Sequence, residues 1–182
     1  MKKLIILFVS VMVTMTASAQ SKNLEPEYIG QVVVVNADST TTLLQGEKAT
    51  LKTGSSKWGY IPVPGSHLLD KTKSHVTIKG SESPITLPKG RLTFIVKCEK
   101  NDVDPKNMIG IIQFEVKNKK RQYKVGETSL LSGMDIATSY SNVPFKAEKY
   151  GEKSYMVVIE NAEPGQYGFM AAFTEYLTFG VK

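Results

Sequence analysis

Cysteine is almost absent from these 182 residues and histidine nearly so: Cys98 stands alone, and the only histidines are His67 and His75. One cysteine cannot close an internal disulfide, which excludes a cross-linked scaffold. Two histidines eight positions apart, with no third ligand at a matching spacing, do not make a zinc site. The same scarcity removes the usual nucleophile–base pairings, and no spacing supports Ser-Lys or paired-carboxylate chemistry. No catalytic residue, metal or cofactor is therefore expected, and the chain does not read as an enzyme. Charge of one sign is in only slight excess, with 23 Lys and Arg against 17 Asp and Glu. It is also spread evenly: residues 20–90 carry 8 basic and 6 acidic side chains, and residues 91–182 carry 13 and 11. A nucleic-acid binder needs a concentrated basic face, so no nucleic-acid partner is expected. With 14 Gly and 8 Pro, collagen-like and low-complexity classes drop out as well.

Long apolar runs are missing except at the start. Lys2 and Lys3 precede an apolar run from Leu4 to Val13, and Ala17-Ser18-Ala19 follows just before Gln20. That order is the three-part pattern of a secretory signal peptide, and the run is shorter than the roughly 20 residues a spanning helix needs. Residues 1–19 are read as a leader and residues 20–182 as one exported domain, periplasmic or at the cell surface. Removing the leader takes Lys2 and Lys3 with it and lowers the formal net charge from +6 to +4. No later stretch is apolar enough to give the mature chain a transmembrane segment.

What is present is a period of two. Tyr28 to Asn36 includes the run Val32-Val33-Val34-Val35, which suits a strand buried on both faces, with Ala37-Asp38-Ser39 as a turn and Thr40 to Leu44 returning. Arg91–Glu99 and Ile109–Lys117 alternate most clearly. In the first, Leu92, Phe94, Val96 and Cys98 share a face, which makes Cys98 a core thiol. In the second, Ile112, Phe114 and Val116 oppose Gln113, Glu115 and Lys117. Asn118-Lys119-Lys120 reads as a hairpin tip returning through Arg121 to Val125. Further strands are expected at 49–52, 75–79, 135–140, 145–150, 154–159, 165–172 and 176–181. Almost nothing shows helical spacing, so the fold expected is an all-β antiparallel sandwich of immunoglobulin or fibronectin type. Residues 53–90 hold four prolines (62, 64, 84 and 88) and read as loops and edge strands. Nine of the 15 aromatics beyond the leader lie between Tyr140 and Phe179, which places the heaviest core in the last strands.

Pro164-Gly165-Gln166-Tyr167 resembles the corner before the penultimate strand of immunoglobulin-like sandwiches, where the Tyr hydroxyl ties the turn to nearby backbone. Around it, Glu27-Tyr28-Ile29-Gly30-Gln31-Val32, Phe94-Ile95-Val96-Lys97 with Asp104-Pro105, Lys149-Tyr150-Gly151-Glu152-Lys153-Ser154-Tyr155 and Phe179-Gly180-Val181 extend a likeness over most of the chain. Together they resemble a group of uncharacterised, secreted bacterial all-β proteins. The resemblance implies export and an all-β fold, and it assigns no activity and no site residue.

Two stretches are candidate binding surfaces. Trp58-Gly59-Tyr60 sits among turn residues, where either Trp58 and Tyr60 stack on a sugar or a peptide, or Trp58 plugs one end of the sandwich. Lys117, Lys119, Lys120 and Arg121 form the one basic run, either a solvated tip that guards a sheet edge or an attachment point for anionic polymer or headgroups. Asp102-Val103-Asp104 is cut short by Pro105 and reads as a capped turn rather than a calcium loop. The function expected is a non-catalytic binding or structural module of the bacterial envelope, contacting an envelope glycan or protein. A component of a surface assembly joined through sheet edges is the alternative, and a hydrolase comes third.

Overall fold

A computed structural model describes residues 24–56, 71–129, 133–136, 143–172 and 175–182. The leader (1–19), Trp58 and Tyr60 lie outside these residues. The strands are β1 (Val32–Val35), β2 (Thr41–Leu43), β3 (Gln45–Ser56), β4 (Lys71–Lys79), β5 (Thr86–Leu87), β6 (Gly90–Lys97), β7 (Ile111–Lys117), β8 (Lys120–Ser129), β9 (Gly133–Ile136), β10 (Lys146–Tyr150), β11 (Ser154–Ala162), β12 (Gly165–Ala172) and β13 (Glu175–Val181). The helical content among the described residues is one 3-10 turn, Pro105–Asn107. Asp104 caps it by accepting a hydrogen bond from the Lys106 N–H at 2.9 Å, so this acidic stretch is a turn, as its sequence indicates.

Alternation builds two sheets of different form. The smaller is open, in the order β10-β11-β6-β1-β2, with antiparallel pairings throughout. The larger closes on itself: β7, β8, β4, β3, β13 and β12 pair in turn, and β12 returns to pair with β7. The result is a six-stranded antiparallel barrel, with β9 added beside β8 and the short β5 running parallel to β13. An immunoglobulin sandwich keeps both sheets open. The all-β antiparallel expectation therefore holds, while the barrel departs from the sandwich form. The 53–90 expectation is corrected too, because β4 is a central barrel strand with β3 on one side and β8 on the other.

β12 and β13 belong to two cores at once, since successive side chains on a strand point to opposite faces. Tyr167, Phe169, Leu177, Phe179 and Val181 point out of the barrel onto the open sheet, where they meet Phe94, Val96, Tyr155 and Val157. Phe94 lies 5.0 Å from both Phe169 and Phe179, ring centre to ring centre. Cys98 is buried in this same cluster, and burial pushes its thiol pKa up, which keeps it protonated and unreactive. The other faces of the two strands fill the barrel, where Tyr176 joins Ile112, Phe114, Val76 and Ile78. Gly168 makes room for this packing: a Cβ there would stand 3.0 Å from the Phe114 ring. Val116 shares the inward face of Ile112 and Phe114, but at the barrel's end it remains 51% exposed.

The Pro-Gly-x-Tyr corner forms as its sequence suggests, with the Tyr167 hydroxyl donating to the Glu163 carbonyl at 2.7 Å. Tyr167→Phe keeps the buried ring and loses only this bond. Urea unfolding is expected to show a loss of about 1 kcal/mol; a neutral result means the corner is held by packing alone.

Candidate anion-binding face

The basic run divides when it folds. Lys117 pairs with Lys120 across a two-residue turn, and both turn residues take left-handed backbone, Asn118 at φ 53° and Lys119 at φ 57°. This is the turn that right-twisted hairpins favour, and its second position prefers glycine. A lysine there costs about 1–2 kcal/mol of backbone strain. The tip guards no edge, because β7 lies between β12 and β8, and β8 lies between β7 and β4.

Arg121 leaves the candidate surface altogether. It is fully buried and points into the barrel, where Nη1 and Nη2 bond the two Glu47 carboxylate oxygens at 2.6 and 2.8 Å. Its other donors reach Ser83 Oγ and the carbonyls of Gly80 and Lys79. Thr178 donates to Glu47, and Ser83 binds Gln166 through both its N–H and its hydroxyl. Burial raises the Glu47 pKa, but the bonds from Arg121 and Thr178 outweigh it and hold the carboxyl below its usual range. The network closes one end of the barrel. Arg121 is thus a structural cation, unavailable to an anionic partner.

The lysines around it are brought together instead. Ala49, Val76, Ile78, Phe114 and Tyr123 line the interior, so their strand neighbours face outward. Cross-strand register then sets three rows on the outer wall. Lys79, Lys120 and Lys117 stand directly opposite one another, and so do Lys52, His75 and Lys124. Between them run Thr50, Thr77, Gln122 and Glu115. Lys52, Lys79, Lys117, Lys119 and Lys124 are exposed, while Lys120 and His75 are half-buried. Like charges placed directly opposite cost roughly 0.2–1 kcal/mol per pair. The charge that is spread evenly along the chain is concentrated by pairing strands that are distant in sequence.

Two of the larger concavities among the described residues lie elsewhere. One of about 450 Å³ lies between Phe145 and Lys146 on one side and Gln113 and Tyr167 on the other. Another of about 300 Å³ is bordered by Ile29, Cys98, Met108 and Phe169. Neither gathers convergent polar groups around a nucleophile, and the thiol in the second is the protonated one described above. No family model, no curated protein and no solved structure matches the chain.

Lys119→Gly separates the two roles of the tip. Relief of left-handed strain is expected to raise the unfolding free energy by about 1 kcal/mol, while retention on an anionic matrix falls. A variant that gains stability and keeps full retention removes Lys119 from the binding face.

Proposed function

We propose that this chain is a non-catalytic, exported module of the bacterial cell envelope that binds an anionic partner through Lys117, Lys119 and Lys120 and the lysine rows beside them. One observation carries the reading: like charges stand directly opposite each other, and a lysine occupies a glycine-favouring turn, so local stability is given up for positive potential. Such local cost is found where a site has a use for it. Export rests on the leader pattern, and the likeness to a group of uncharacterised, secreted bacterial all-β proteins rests on the Pro-Gly-x-Tyr corner and the stretches around it. Trp58 and Tyr60 remain candidate stacking residues in the connection between β3 and β4.

The alternative, assembly through sheet edges, has less support. The free edges of the open sheet are β2, only three residues long, and β10, which carries Lys146, Glu148 and Lys149. Short and charged edges resist strand pairing. Co-sedimentation of the processed protein with isolated envelopes tests the proposal at about 50 and about 500 mM salt. Binding is expected at low salt, with loss at high salt and in the triple variant Lys79→Glu, Lys117→Glu, Lys120→Glu. Equal sedimentation under all these conditions refutes it.

A further inference from the structure

We infer that the partner is a linear acidic polysaccharide, with uronate or sulfate groups, laid across the outer wall of β3, β4, β8 and β7; this rests on the anionic-partner reading above. The two lysine rows are four residues apart along each strand, or about 13 Å, and neighbouring strands are about 4.8 Å apart. The site is therefore one line of three lysines and a second in which Lys52 and Lys124 flank His75, with a band between them that is uncharged over β3, β4 and β8. Thr50, Thr77 and Gln122 form that band, and hydroxyl and amide groups suit the hydroxyls of sugar rings. Thr77 sits at its centre, 5% exposed, and its Oγ1 has no hydrogen-bond partner. An unsatisfied buried hydroxyl is costly, and a sugar hydroxyl that parts the side chains covering it, between Thr50 and Gln122, supplies the missing partner.

The same geometry disfavours other polyanions. A nucleic-acid duplex presents closely spaced phosphates on a convex surface, and the barrel wall is convex too, so few phosphates can touch it at once. Glu115 at the end of the middle row is unfavourable to any anion, so the sugar chain is placed over Thr50, Thr77 and Gln122 with its acidic groups on the lysine rows. A membrane surface needs coplanar charges or apolar side chains that insert, and the outward positions of this patch carry no apolar residue.

Polygalacturonate, dextran sulfate, neutral dextran, anionic phospholipid vesicles and a short DNA duplex are the probes, each titrated against the full processed chain. Saturable, salt-sensitive binding is expected for the two acidic polysaccharides, with none for neutral dextran. Lys52→Gln with Lys124→Gln, on the row away from the tip, is expected to weaken polysaccharide binding tenfold or more while urea unfolding stays cooperative. Thr77→Val is expected to raise the unfolding midpoint yet weaken binding several-fold, whereas a purely structural Thr77 would move only the midpoint. Salt-sensitive binding to vesicles or duplex without binding to the polysaccharides overturns this inference and leaves the anionic-partner reading standing. No salt-sensitive binding to any charged probe overturns both.

Discussion

Glu47→Ala is expected to destabilise the protein by about 3 kcal/mol, measured as a lowered urea midpoint at unchanged slope. The removed carboxylate leaves the fully buried Arg121 guanidinium without its counter-charge. The remaining bonds to Ser83 and to the carbonyls of Gly80 and Lys79 satisfy donors but do not neutralise charge. Replacing both partners, as in Glu47→Leu with Arg121→Met, is expected to recover most of the loss, because an apolar pair of similar volume needs no compensation. A double variant as unstable as the single one would mean that the network is needed for shape rather than for charge balance. Acid probes the same bond. The Glu47 pKa is lower in the fold than its ordinary value of 4.5, so its contribution is present above that pH and fades as pH falls through the folded value. Glu25 acts in the same direction: burial raises its pKa, and the bonds it accepts from Lys97 and the Lys153 N–H help to more than reverse this. Stability should therefore decline below about pH 4.5, less steeply in Glu47→Gln.

Arg121 also shows where local reading of the chain reaches its limit. As part of Lys117-Asn118-Lys119-Lys120-Arg121 it looks like one more exposed cation, because composition alone assigns charge to solvent. The period of two contains the better signal: Arg121, Tyr123 and Val125 share a face, and that face is the barrel interior. Within single strands the alternation was reliable. Leu92, Phe94, Val96 and Cys98 are all buried together, and Gly165–Ala172 is a strand with the predicted bounds. Relations between strands were not legible. Barrel closure depends on β13 pairing with both β12 and β3, whose residues lie more than 100 positions apart, and the lysine rows depend on the register of β3, β4, β8 and β7. The prolines misled for a related reason. Pro62 and Pro64 precede β4, and Pro84 and Pro88 follow it, so a proline-rich stretch contains a nine-residue central strand free of proline.

Phe114→Asp is expected to abolish folding, with loss of the native circular-dichroism signal and of any cooperative urea transition. Phe114 fills the barrel beside Tyr176, ring centres 5.7 Å apart, and lies directly against Gly168. A carboxylate in its place is surrounded by Ile112, Val76 and Ile78, none of which can donate a hydrogen bond. Unpaired burial of such a group costs several kcal/mol, and the lost ring packing adds about 3–5 kcal/mol. Their sum is comparable to the whole stability of an ordinary domain. Gln113→Asp, one position away on the exposed outer face, is expected to leave a cooperative urea transition and to cost far less than Phe114→Asp. The contrast between neighbours tests the register of β7 independently of the aspartate itself: comparable damage at both positions would require a strand buried on both sides at this point, and the pairing of β7 with β8 and β12 would have to be redrawn.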